Sequence, residues 1–413
     1  MIFKKNIYFY LDIIIFLIPL FLVLGPTYVN IYIFFLVILF FLILFNHYKN
    51  SFLVILSLPF FRYLLLFWFY ICLNSFFSTD IFNALRASLS FGRFILVAMV
   101  IGYFGFRYYS YELAQKVCLI IISLVVFDIL FQFIFGADIL GYQVEPNRFS
   151  GPFGKELVAG AYLYKISPII LSLIIYNFFF NSNFYNKILS IIFVFVFLFT
   201  ILITGERTSF LLTLIFLFSI IFLAAINTNK KKIYLLISSF FLFFLFISSL
   251  LLSSVKIRFL EMIQIMSNFY NSSYGKLWNS GYRLWLNHPL NGVGLKNFRV
   301  DCDIELADIN KATSHQLCST HPHNFLLELL SETGLVGTSL FIFFIANFYI
   351  YIFKDWKISF KKKEHFVLFS LMISIFLIIC PIFTSGSFYT TWNGSFLWVL
   401  IGYSIYIKSI LKT

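Results

Sequence analysis

Long apolar runs separated by short polar ones dominate this 413-residue chain. At about 20 residues per crossing, the runs predict twelve membrane-spanning helices. They fall near 7–25, 28–45, 58–77, 90–106, 117–135, 159–180, 188–204, 208–226, 233–252, 335–353, 366–384 and 393–410. The first carries Lys4 and Lys5 and runs straight into a turn at Gly25-Pro26, so it is read as a first helix and not a removable signal. One polar stretch breaks the rhythm, at residues 253–334. A loop this long in a compact chain is usually functional. Within it Val255, Phe259, Met262 and Met266 recur at helical spacing, with Lys256, Arg258 and Glu261 on other faces. That pattern predicts an amphipathic helix on the membrane surface. A second helix is expected over 277–285, ending at His288-Pro289, with Gly292 and Gly294 making the next turn. Trp278 and Trp285 on it suit the membrane interface. No internal repeat is visible, and the whole of 1–413 is expected to form a single integral membrane domain.

Composition agrees with that class and adds a side. Hydrophobic residues make up 61% of the chain and charged ones 11%, less than half of what a soluble domain carries. With the N-terminus in the cytoplasm, twelve spans return the C-terminus there too. The Lys clusters, such as Lys230-Lys231-Lys232 and Lys361-Lys362-Lys363, then fall on the cytoplasmic face, as the positive-inside rule expects. The net charge of +13 is mostly this topological signal and gives no reason to invoke nucleic acid. Arginine behaves differently. Seven of the nine, Arg86, Arg93, Arg148, Arg207, Arg258, Arg283 and Arg299, fall on the outer side. A guanidinium grips phosphate or carboxylate with a planar fork, so the outer face points to an anionic ligand. The plainer reading pairs these arginines with acids such as Glu206 and Glu261.

The candidate chemistry lies in the outer loop. Cys318-Ser-Thr-His321-Pro322-His323-Asn324 stands before an apolar helix and is followed by Gly334 and Gly337. Pro322 at the first helical position would put His323 and Asn324 in the first turn. The partial positive charge of a helix N-terminus disfavours imidazolium, which would keep His323 neutral and able to take a proton. Glu328, four residues after Asn324, would share its face and fix the amide. The plainer reading of His323 is a capping or interfacial histidine. Arg207 opens a span at the outer boundary, where a helix N-terminus and a guanidinium make an anion site. Cys302 and Cys318 lie in the same loop and are open to three readings: a disulfide, free thiols, or a metal set with His315 and His321. No Walker-type loop is present, and no Asp-x-Asp nucleotide-sugar motif lies in a cytoplasmic loop. A transporter or flippase would need ionisable groups within the spans, for which Asp12 and Asp128 are the candidates.

Three motifs in order resemble the O-antigen ligase and O-antigen polymerase superfamily. They are Thr204-Gly205-Glu206-Arg207-Thr208, then Tyr282-Arg283-Leu284-Trp285 running into His288-Pro289-Leu290-Asn291-Gly292-Val293-Gly294, then His321, His323, Asn324, Glu328, Gly334 and Gly337. The motif-bearing region spans about 140–345. The resemblance implies an all-α, GT-C-like transferase in the bacterial inner membrane that needs neither metal nor cofactor and has a periplasmic active site. Its donor would be a glycan on undecaprenyl diphosphate and its acceptor lipid A-core. His323, Arg207 and Arg283 would be catalytic, with Arg148, His321, Asn324 and Glu328 binding substrate. A polymerase would instead extend a second carrier-linked glycan. The intact His-Pro-His-Asn segment favours the ligase.

Overall fold

The computed structural model of the protein describes residues 2–47, 58–104, 111–146, 148–180, 183–228, 232, 253–305, 318–354 and 360–412. Among these residues the regular structure is helical, and β pairing is confined to two isolated bridges, Ala137 with Gln143 and Glu145 with Arg148. Lipid offers no hydrogen bonds, so an apolar segment satisfies its backbone within itself. The helices are α1 (Ile2–Phe16), α2 (Ile18–Leu24), α3 (Pro26–His47), α4 (Pro59–Asn74), α5 (Ile81–Met99), α6 (Tyr111–Phe135), α7 (Ala159–Ile166) and α8 (Pro168–Phe180). They continue as α9 (Phe184–Ile203), α10 (Arg207–Asn227), α11 (Ser253–Ser267), α12 (Ser273–Asn287), α13 (Phe298–Glu305), α14 (Phe325–Phe353), α15 (Lys363–Ile379) and α16 (Thr391–Lys412).

Among the described residues seven helices are long and apolar enough to cross a membrane, and α7 with α8, bent by 55°, makes an eighth. The bend sits at Pro168, whose missing N–H breaks the helical ladder. The expected count of twelve is therefore not confirmed. The expected first span is split at Leu17 into α1 and α2, and α15 has only 17 residues. The expected ninth span, 233–252, lies outside the described residues.

Two helices begin well before the apolar run that marks them. α5 starts at Ile81, where the Asp80 side chain accepts from the Asn83 N–H at 3.0 Å. α14 starts at Phe325 and packs along α4, with aromatic contacts such as Phe60 to Phe348. The main apolar core runs through the spans and includes the fully buried Trp398 and Phe344, stacked at 5.7 Å. A second, small core lies under the outer loop: Leu284, Val293, Phe298 and Cys302, with Cys318 against them.

These two regions are joined at a break in α14. Gly334 has φ +61° and ψ −168°, which interrupts the helix and frees backbone groups of residues 331–336. The 289–294 segment takes them up. Val293 and Gly294 donate to the Ser331 and Glu332 carbonyls at 2.8 and 2.9 Å, and Leu335 and Val336 donate to Pro289 and Leu290 at 2.9 and 3.2 Å. The approach is close enough that a Cβ on Gly334 would sit 2.2 Å from the Leu290 oxygen.

Candidate active site

The segment before α14 carries the histidines. Asn324, not Pro322, begins the helix. Its Oδ1 accepts from the Leu327 N–H at 3.0 Å, and its Nδ2 donates to the Pro381 carbonyl at 2.7 Å. This corrects the expected first turn. An Asn side chain satisfies an orphan helix N–H, which Pro at the first position does not. Pro322 and His323 thus lie outside the helix, and Pro322 packs against the Gly281 position of α12. His323 adopts φ +53°, an uncommon conformation for a residue with a Cβ. Its carbonyl accepts from the Ser385 N–H at 3.0 Å, which fixes the segment against the 380–390 connection.

The two imidazoles lie ring to ring at 4.0 Å. Burial disfavours the cation on both, and the His323 charge further disfavours it on His321. His321 is pushed down to about 3 by burial first, then by the His323 charge. Burial also pushes His323 down. His321 Nδ1 is paired with Thr320 Oγ1 at 3.0 Å, and its Nε2 is buried without a hydrogen-bond partner. A group that protonates only near pH 3 is a poor base at neutrality, which leaves His323 as the better proton acceptor of the two.

A basic cluster stands beside them. Arg148 donates to the Leu157 carbonyl at 3.1 Å, and Arg258 donates to Gly205 O at 3.2 Å and to Glu261 at 2.8 Å. Arg207, the first residue of α10, lies 3.6 Å from Glu261. The Arg258 and Arg207 charges both act on Arg148, and burial lowers its pKa before either of them does. Tyr274 joins the cluster to the histidines: its ring is 5.8 Å from His323, and it acts electrostatically on Arg148 and Arg207. A second tie runs through Thr208, which is hydrogen-bonded to Thr384 at 2.8 Å, next to Ser385. Glu206 does not neutralise the cluster by a direct ion pair. Its carboxylate caps α7, accepting from Gly160 and Ala161 at 2.7 and 3.0 Å, and burial raises its pKa. Each guanidinium has five N–H donors, and these contacts leave several unused.

Residues 192–342 match the family model described as O-Antigen ligase. The match supports the O-antigen ligase and polymerase superfamily. Members of that family are glycosyltransferase-like enzymes, ligases or polymerases. No curated protein matches the chain significantly. The matched segment contains Arg207, Arg258, Tyr274 and both histidines, while Arg148 lies before it.

Placed in the structure, the O-antigen ligase-like motifs divide into those that face the site and those that support it. Arg207 and Arg148 are brought together. Arg283 is not: it lies nine residues along α12 from Tyr274, half a turn around at about 100° per residue. Arg258 takes the third place. Asn324 and Glu328 are expected to bind substrate, but both are buried beneath the histidines. Glu328 accepts from the Phe388 N–H at 3.2 Å and so anchors the 380–390 connection. The Gly292-Val-Gly294 motif docks the break in α14, and His288 pairs with Glu305 at 2.5 Å. Cys302 and Cys318 are bonded to each other, with Cα atoms 5.7 Å apart, which removes both thiols from the alternative metal set. That set's His315 lies outside the described residues. Sequence reasoning passed over Tyr274, Lys296 and the Thr384-Ser385 contact. Arg258 had one visible signal, its spacing three residues before Glu261.

Proposed function

We propose that the chain is an O-antigen ligase-like glycosyltransferase that moves a glycan from undecaprenyl diphosphate to lipid A-core at the periplasmic face of the inner membrane, with both termini cytoplasmic. The observation that carries this reading is the buried, closely spaced histidine pair beside a cluster of three guanidiniums, with Tyr274 set against His323 and acting on Arg148 and Arg207. His323 takes the proton of the acceptor hydroxyl. The acceptor oxygen forms a bond to the anomeric carbon as the bond from that carbon to the diphosphate oxygen breaks. Attack opposite the leaving group inverts the anomeric centre. The electron pair leaves with undecaprenyl diphosphate, whose growing charge Arg148, Arg207 and Arg258 stabilise. In this scheme guanidinium serves where a divalent ion would otherwise neutralise the diphosphate. The Cys302–Cys318 bond suits an oxidising compartment.

The test is transfer from purified undecaprenyl-diphosphate glycan to lipid A-core in EDTA, with native protein and His323→Ala. Transfer that survives EDTA and drops about 10²–10⁴-fold in the variant is expected for loss of a general base. Lengthening of carrier-linked glycan without lipid A-core product would identify a polymerase. Full activity in the variant would remove His323 from the chemistry.

A further inference from the structure

A second basic site lies apart from the arginine cluster. A cavity of 480 Å³ opens between the start of α5, the Pro26 turn, the 389–392 segment and the Lys296–Arg299 turn. Asn83, Arg86, Ser90 and Arg93 line it from α5 at spacings of three and four residues, so they form one polar stripe on a membrane helix. A polar stripe on a span faces protein or a water-filled space, not lipid. Lys296 and Arg299 complete the wall, giving four cations and no carboxylate among the lining residues. Among the described residues none of the four forms a salt bridge.

Their surroundings argue against idle surface charge. Arg93 is held by Asn30 and Thr391 at 3.0 and 2.9 Å, while its Nε is buried without a partner. Lys296 adopts φ +63°; with His323 it is one of two residues other than glycine in the left-handed region among those described. Strain of this kind persists where the surroundings impose it, and here the Glu332 carboxylate faces the Lys296 and Phe298 backbone amides. The 389–392 lining follows on the connection whose Ser385 N–H holds the His323 carbonyl, and the Lys296 charge acts on His321, so the cavity is tied to the histidine segment. Trp392, partly exposed, adds aromatic surface of the kind that covers sugar rings.

We infer that this cavity seats a phosphate or carboxylate group on the saccharide head of the acceptor glycolipid, while the Arg148, Arg207 and Arg258 cluster holds the donor diphosphate. The inference rests on the glycosyltransferase reading above for the word acceptor, and on the cavity alone for the anion. Two anionic substrates must meet at one base, and separate cationic seats on either approach keep them from competing for one site.

The test is binding of lipid A-core to full-length protein in nanodiscs, before and after phosphatase treatment of the ligand, for native protein and for Arg86→Gln/Arg299→Gln. Both substituted side chains are exposed, so the fold tolerates the change. Native protein is expected to bind the phosphorylated ligand about tenfold more tightly, and the double variant to lose that preference. In transfer assays the variant raises KM for acceptor and leaves KM for donor unchanged. A preference that persists in the variant overturns the inference. Phosphatidylglycerol vesicles or inorganic phosphate competing as well as lipid A-core would also overturn it, by showing a general anion site. A preference that depends on Arg86 and Arg299 in a protein that transfers no glycan would keep the anionic glycolipid site and remove the enzymatic reading. Normal transfer with no such dependence would do the reverse.

Discussion

At the scale of residues, the candidate site sets two buried imidazoles against Tyr274, which acts on Arg148 and Arg207, with Arg258 beside Arg207. Identity of the key side chains was legible in the sequence: His321, His323, Arg148 and Arg207 stand out as polar groups with no place in lipid. Their local geometry was not. Asn324 and Pro322 compete to start one helix, and the outcome turns on a side-chain hydrogen bond to Leu327. Arg258 and Arg283 both precede apolar residues on amphipathic helices, and only the rotation of each helix decides which one meets Arg207. Arg258→Gln is therefore expected to cost roughly 10²-fold in kcat, as loss of one charge-stabilising donor does, and Arg283→Gln much less. Steady-state rates on a common donor check this, and equal losses would return Arg283 to the cluster. The histidines also make stability pH-dependent. Burial first, and then the His323 charge, push His321 down from the ordinary imidazole value of 6.5 to about 3 in the folded chain. Below pH 6.5 the unfolded chain binds a proton that the native one refuses, so stability falls as pH drops from 6.5 toward 3 and is level above. The fall in Tm between pH 7 and pH 5 should be smaller in His321→Gln than in native protein.

At the scale of elements, hydrophobic runs located the helices but misplaced two of their starts. α5 and α14 begin nine and ten residues before the apolar stretches that marked them. Polar residues at those ends read as loop, yet Asp80 and Asn324 are caps and the following turns are buried in protein or line a cavity. The Gly-x-Gly and Gly-x-x-Gly motifs were legible as turns and breaks, but their partnership was not, because backbone pairing between 289–294 and 331–336 leaves no mark on periodicity. Gly334→Ala tests that partnership. A Cβ meets the Leu290 oxygen, and alanine is strained at φ +61°. The variant is expected to lose at least about 1–3 kcal/mol of stability, read as a lowered Tm. An unchanged Tm would mean that the two segments are not locked as described.

At the scale of the whole molecule, α14 carries the histidine segment at one end and Lys354 at the other. Beyond the break at Gly334, residues 335–353 span roughly 29 Å, about the hydrocarbon core of one bilayer. Residues near Arg299 should therefore be reached from the periplasm and residues near Lys361 from the cytoplasm. Labelling Arg299→Cys and Lys361→Cys with a membrane-impermeant maleimide in intact cells checks this, with only the first reacting. Reaction of both from outside would overturn the orientation.

The Cys302–Cys318 bond has a consequence for how such a protein diversifies. Chain enters and leaves the intervening stretch at two points 5.7 Å apart, both seated in the small core beside α12. The bond fixes where that stretch leaves and rejoins the core. Doubling the length of such a stretch costs only about 0.6 kcal/mol of closure entropy. Insertions between the two cysteines are therefore expected to cost little stability, which makes this stretch a place where the chain can change length.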